Sequence, residues 1–351
     1  MKTEMPLELK IAIGDYGQTA PLKDGSVPIQ GVMPDFVKVE PIIAAFRRMV
    51  RNVEFDVCEL ASTTYYIARA FGAPFKALPI FLMRQFHHSG IVCREDAGIK
   101  TPRDLEGKKV GVRAYSVTTG VWTRSILANE YGLDLSKVTW VVDDEEHVTQ
   151  LRLPPNVVHV PPGKSLVSMM ASGEIQAGFT SKAGIGREGP PKAGWEGGPK
   201  PVPEVYHDLI KDAARLEAEW FRRTGIYPMH GALVVKDRLL ADHPWLARSL
   251  YTAFTEAKAR YLTQLRSSEA NSAEDKRYSD LTAVVGEDPL PYGLKANLPA
   301  IEALINYALQ QGLIPRRLSV SELFVDPEAS APINTTPIDK KKGRLQWRQR
   351  S

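Results

Sequence analysis

Alternating strand and helix patterns, a length too great for one core and the lack of any long apolar run predict a globular α/β protein with two domains. Strand-like runs alternate with segments of helical period along most of the chain, a pattern that indicates parallel sheets with covered faces. With 351 residues, against roughly 150 per domain, two cores are expected. No stretch of about 18 apolar residues occurs, so no membrane span is expected.

Taken in order, Leu7–Gly14 alternates apolar and polar residues and predicts a first strand, and Phe36–Val39 a second. Pro41 opens a helix at the first turn that proline favours, running to Asn52. Val53–Cys58 is a strand, Glu59 stands where the next helix opens, and Gly72 closes that helix. Ala77–Met83 and Ser89–Cys93 predict strands, and so do Val138–Val142, Val157–Val160 and Gln176–Ser181. Helices are predicted over residues 165–174 and 205–225. Gly184–Pro203 is too rich in glycine and proline for a core element and predicts a loop. Met229–Val235 predicts a returning strand, followed by two long helices, about 243–265 and 295–311, and a short one at 319–324.

Composition narrows the function. Hydrophobic residues make up 43% and charged residues 25%, as in ordinary globular proteins. The net charge of +4 is a tail property: six basic residues from Lys340 to Arg350, less Asp339, carry +5 and leave −1 for the rest. Neither a nucleic-acid partner nor a membrane is therefore expected. Cys58 and Cys93 form no CxxC pair and read as buried, inert thiols. The first 17 residues lack an apolar signal core, so a cytoplasmic chain is expected.

The stretch Gly111–Tyr131 runs from a strand, through a turn, into an amphipathic helix. Arg113, Ser116, Thr118 and Thr119 gather at the turn. Helix N-termini carry unpaired N–H groups and partial positive charge, so these residues can form an anion seat. Plain capping by Ser116 or Thr118 is the other reading.

The order of elements around IKTPRDLEGKKVGV (99–112) resembles the type II periplasmic-binding-protein fold. That fold has two α/β lobes, two chain crossings between them and a ligand in the cleft. The resemblance places the crossings near Cys93–Glu95 and Tyr227–His230. It assigns residues 1–94 and 229–326 to lobe 1 and 95–228 to lobe 2, leaving 327–351 as a disordered basic tail. More specific phrases are FDVCELASTTYY (55–66), FHHSGIVCR (86–94), VWTRSILANEYGL (121–133), TGIYPMHGALVV (224–235) and EDPLPYGLKAN (287–297). Across residues 8–325 the chain is similar to the 4,5-dihydroxyphthalate decarboxylase family. It departs from that family at Arg113–Thr119, where the family turn carries a proline and an acidic residue.

The resemblance implies an aromatic carboxy-lyase that converts 4,5-dihydroxyphthalate, or a close analogue, to protocatechuate. Such a reaction needs an acid facing the ring carbon that bears the leaving carboxylate, an acceptor for the phenol and fixed donors for the carboxylates. The hydroxylated ring is its own electron sink, so no cofactor is expected, with a divalent metal as the alternative. Glu59 is expected to accept from the catechol, or else to serve as a helix N-terminal charge. Of His87 and His88, adjacent strand residues facing opposite ways, the family phrase favours His88 as the acid. His230, at the second crossing, is a donor, a second acid or a core histidine. Arg113, Ser116, Thr118 and Thr119 would clamp the carboxylates, with Ser62 and Ser89 as further substrate-binding candidates. Tyr292 and Asn297 either line the cleft or form a turn and cap. Family enzymes suggest a homo-oligomer. A solute-binding protein for an anionic aromatic ligand is the competing function, and a regulatory subunit the third.

Overall fold

The computed structural model describes residues 5–186, 205–267 and 272–329. Residues 187–203 of the expected loop, and the tail from residue 330, lie outside the described residues.

The chain orders its main elements as β1 (Leu7–Ala12), α1 (Ala20–Lys23), β2 (Val32–Phe36), α2 (Ile43–Asn52), β3 (Val57–Ala61), α3 (Ser62–Ala70) and β4 (Phe75–Arg84). There follow β5 (Ile91–Arg94), β6 (Lys109–Val112), α4 (Thr118–Tyr131), β7 (Thr139–Val142), β8 (Val157–His159), α5 (Leu166–Ser172), β9 (Ala177–Phe179), β10 (Tyr206–Asp208) and α6 (Ala213–Thr224). The last stretch holds β11 (Met229–Lys236), α7 (Asp237–Asp242), α8 (Leu246–Arg266), α9 (Ala273–Val285), α10 (Leu294–Gln310) and α11 (Val320–Leu323).

Two sheets result, ordered β2-β1-β3-β11-β4 and β10-β5-β9-β6-β7-β8. Both are mixed, where the sequence pattern predicted parallel pairing. The strands β1, β2 and β3 run parallel, and so do β6, β7, β8 and β9, but β11 is antiparallel to β3 and β4, and β5 to β9 and β10. The cause is the route of the chain. Having left the first sheet after Arg84, it starts β5 from the cleft side, against the direction of β6 and β9. Coming back, it starts β11 from the cleft side, against β3.

Each sheet is covered on both faces, as buried strands require. Leu9, Ile11, Val57, Leu78, Ile80 and Leu233 pack against α7 and α8. Cys58, Leu60, Phe81 and Val234 face α2, α3 and α10, in a core continuous with Val110 and Val112 of the second sheet and Trp122 of α4. The opposite face of that sheet buries Val92 and Val141 against Leu166, Met169 and Met170 of α5. Cys58 and Cys93 are buried free thiols.

Several boundaries differ from expectation. The second strand is Val32–Phe36, paired with β1 from Leu7↔Val32 onward, rather than Phe36–Val39. The first crossing, expected at Cys93–Glu95, falls between Arg84 and Ile91, because β5 already pairs in the second sheet. Residues 206–208, expected at the head of a helix, form β10 because β5 offers an open edge: Tyr206↔Arg94, His207↔Cys93 and Asp208↔Val92 pair there. The helix α9 was not expected at all. Its charged face gives it little helical hydrophobic pattern, but the capping box of Ser272 and Asp275 marks its start in the sequence.

Candidate active site

The parallel strands β1, β3, β6, β7 and β9 end at the cleft between the sheets, the crevice where open α/β sheets bind ligands. Glu59 sits at that end, within β3 rather than in the first turn of α3, which begins at Ser62. Its carboxylate accepts from the Gly14 N–H (3.0 Å) and the Tyr16 hydroxyl (2.9 Å). A Cβ on Gly231 would lie 2.8 Å from Glu59 Oε1, so glycine at 231 gives this carboxylate its room. Burial raises the Glu59 carboxyl to about 7, although the Gly14 and Tyr16 bonds and the charge of Lys23 oppose the shift. A carboxyl at that value can both hold and release a proton near neutrality.

His87 and His88 lie in the connection between β4 and β5 rather than on a strand, and their side chains part to different neighbours. His87 is the one that meets the second crossing: its ring stacks 5.8 Å from His230 and 6.4 Å from Trp122 of α4. His88 turns instead to α6, edge-on to Trp220 at 5.3 Å, with Nδ1 3.9 Å from Glu217. The reason lies in α6. Glu217 accepts from the His88 backbone N–H (3.1 Å) and from that of Ser89, drawing His88 to its side. His87 Nε2 and His230 Nδ1 are buried with no hydrogen-bond partner among the described residues. Burial, then the neighbouring charges, hold His87 well below the usual imidazole value and His230 at about 4. His88 is likewise lowered to about 4, by burial alone. The uncharged rings are poised as hydrogen-bonding groups rather than cations.

His230 immediately precedes Gly231, the glycine that Glu59 lies against. The helix α9 supplies a further link, since Glu274 acts on Glu59 and Tyr16 while Arg277, one turn on, acts on His87 and His230. Arg277 is held by the Arg84 carbonyl (3.1 Å) and Gln85 (3.4 Å). These α9 residues, with Tyr16, went unnoticed in the sequence because α9 did.

The seat at the start of α4 forms, and a carboxylate of the chain fills it. The N–H of Tyr115 (2.7 Å) and of Ser116 (3.3 Å), with the Ser116 hydroxyl, donate to Glu146. Arg113 pairs with Asp144 at 3.1 Å. Thr118 faces the first lobe, its hydroxyl 2.7 Å from that of Thr63, which also lies 2.8 Å from the Ser116 carbonyl. Thr119 is half-buried. Arg47 and Arg51 of α2 reach Asp144 and Glu145, both at 3.1 Å, so the loop carrying Glu146 is tied to both lobes.

The remaining candidates scatter. Ser62 is fully buried at the start of α3 with an unpartnered hydroxyl. Ser89 is exposed. Tyr292 is buried under Lys258, whose ammonium stands 4.5 Å from the ring, and its hydroxyl is unpartnered among the described residues. Asn297 is a brace: its amide donates to the carbonyls of Pro291 (3.0 Å) and Gly293 (2.7 Å), and its oxygen accepts from the buried Arg84. That spends its bonding capacity. No group of three or more His, Cys, Asp or Glu side chains with metal-holding geometry occurs among the described residues. Nor is any described helix long and apolar enough to cross a membrane.

Comparison with known proteins finds relatives of this chain. Over 330 residues the chain is 34% identical to a 4,5-dihydroxyphthalate decarboxylase of Comamonas testosteroni, covering 91% of this chain and 96% of that one. The chain belongs to the 4,5-dihydroxyphthalate decarboxylase family. A second member, from Pseudomonas putida, is 36% identical over 224 residues, 62% of this chain and 82% of that protein. Residues 44–152 match the family described as NMT1/THI5 like. Among solved structures, the alkanesulfonate-binding protein SsuA of Xanthomonas axonopodis pv. citri aligns over 92% of this chain and all of its own, with a TM-score of 0.50 and 13% identity. The aliphatic sulphonate binding protein of Escherichia coli aligns over 91% and 97%, with the same score and identity. The likeness is one of fold: this decarboxylase-family chain has the two-lobe periplasmic-binding-protein architecture expected from its sequence.

Proposed function

We propose that the protein is a carboxy-lyase that removes CO2 from 4,5-dihydroxyphthalate, or a close hydroxylated analogue, to give protocatechuate. The observation that carries this reading is the buried Glu59 carboxyl, raised to about 7 at the cleft. A site that only captured an anion would gain nothing from a carboxylate there, because like charge opposes binding. An acid that holds its proton near neutral pH is what protonation of a ring carbon requires.

In this reading Glu59 delivers a proton to the ring carbon bearing the leaving carboxylate. The hydroxyl para to that carbon gives up its proton to a neutral imidazole, His87 or His230, and the ring becomes a dienone. The bond to the carboxylate then breaks, its electron pair restores the aromatic ring, CO2 leaves and the phenol regains its proton. One proton is consumed per turnover. A dianionic ligand beside the two histidines raises their basicity, favouring this transfer. The ring serves as electron sink, so the proposal includes no organic cofactor and no metal. Arg277, whose charge acts on His87 and His230, and the buried hydroxyl of Ser62 at the start of α3 are further candidate donors to the substrate. A cytoplasmic homo-oligomer completes the proposal, to be tested by cell fractionation and light scattering.

The deciding experiment is incubation of the purified protein with 4,5-dihydroxyphthalate, with and without chelator, following CO2 and protocatechuate. Release of both in equal amounts is expected, undiminished by chelator. Tight binding of the diacid with no CO2 over hours would replace this reading by that of a solute-binding protein.

A further inference from the structure

A helix N-terminus that gathers three donors around a carboxylate is a built anion site, and here the anion comes from the chain. Glu146 receives the Tyr115 N–H, the Ser116 N–H and the Ser116 hydroxyl at the start of the 14-residue helix α4. Beneath lies Arg124, 0% exposed, stacked 3.9 Å from the Tyr115 ring. Its Nε binds Gln311 (2.8 Å) and its Nη2 the Tyr115 carbonyl, while Nη1 has no partner among the described residues. No described carboxylate forms an ion pair with this guanidinium, and the acidic group whose charge it senses is Glu146. The buried guanidinium beside the seat therefore keeps one nitrogen without a hydrogen-bond partner among the described residues while Glu146 occupies the seat. Burial raises the Glu146 carboxyl above its ordinary value, against the pull of all three donors. Its residue is half-buried and follows the exposed Glu145.

We infer that Glu146 is an internal stand-in for a substrate carboxylate, displaced from the start of α4 when an aromatic diacid enters, and that it thereby sets which ligands the cleft accepts. A neutral phenol cannot compete with a tethered carboxylate for charge-assisted donors, whereas a second carboxylate can. The expected clamp of Arg113, Ser116, Thr118 and Thr119 then becomes an exchange site. Ser116 and the Tyr115 N–H hold either carboxylate, Asp144 keeps Arg113, and Thr118 keeps contact with Thr63. The affinity of the diacid is lowered by the fraction of molecules whose seat is filled. The inference rests on the carboxy-lyase reading only for the ligand being an aromatic diacid.

Phthalate is the probe, because without hydroxyl groups it lacks the electron sink for decarboxylation. Calorimetric titration of the full chain should show Glu146→Gln binding phthalate about five- to tenfold more tightly than wild type, the gain from opening a mostly filled seat. Glu146→Asp, one methylene short of the donors, should shift in the same direction, which covers any failure of Glu146→Gln to fold. Ser116→Ala should weaken binding. Equal or weaker phthalate binding by the position-146 variants, or none in any protein, would overturn the inference. Turnover is read separately: a wild type that releases no CO2 from 4,5-dihydroxyphthalate sinks the carboxy-lyase reading and leaves the phthalate comparison to judge Glu146.

Discussion

Replacing Glu59 by glutamine should remove activity while making the protein more stable at alkaline pH. The buried carboxyl titrates at about 7 in the folded chain against an ordinary 4.5. A folded value above the unfolded one means that the folded state holds the proton more tightly. Its contribution to stability is then full below pH 4.5 and is lost as pH rises through 7. The gap of about 2.5 pH units, at 1.36 kcal/mol each, makes this loss about 3 kcal/mol. Glutamine keeps the shape, accepts from the Gly14 N–H and bears no charge, so the loss should vanish. With an unfolding entropy of roughly 0.7 kcal/mol/K for 351 residues, the melting temperature of Glu59→Gln should exceed wild type by about 4 °C at pH 8. Near pH 4.5 the two should converge. CO2 release should fall by about 10²- to 10⁴-fold, the usual worth of a positioned acid. Parallel melting profiles between pH 4.5 and 8, or CO2 release within tenfold of wild type, would refute the assignment of a proton to this carboxyl.

Two further substitutions test the geometry. His87→Ala should lower kcat at least 100-fold, by the same estimate for an acid–base group, whereas His88→Ala, on the α6 side, should leave kcat within about threefold; steady-state assays of the pair decide between them, and the reverse ranking would move the site to α6. Gly231→Ala places a methyl 2.8 Å from Glu59 Oε1 and should destabilise the fold by about 1–3 kcal/mol with loss of CO2 release, read by thermal unfolding and activity together.

Most of the architecture was legible because it rests on local pattern. The apolar run of β4 and the glycine stops need only neighbouring residues, and the family phrases lie along the same segments, whereas α2 opens at Ile43, two residues after the expected Pro41 start. Glu59 stood out as a carboxylate at the end of an apolar strand, although the sequence set it at the opening of a helix and the structure sets it within β3. The mixed sheets were not legible in the same way, since the direction of β11 depends on which end of the first sheet the chain re-enters. The helix α9 was missed because Glu274, Lys276, Arg277 and Asp280 blur its apolar face, although its capping box was present.

The sequence by itself determined the α/β class, the two-lobe family and the cluster of donors at the start of α4. Tertiary structure decided where the two histidines turn, for Glu217, 129 residues away, draws the backbone of His88 toward α6. It also decided what the seat holds, since Glu146 reaches Ser116 from 30 residues on. Strand alternation states that two neighbours part, and a helix start states that an anion is welcome. Neither can state which distant side chain answers, because that is settled by the packing of elements remote in the chain.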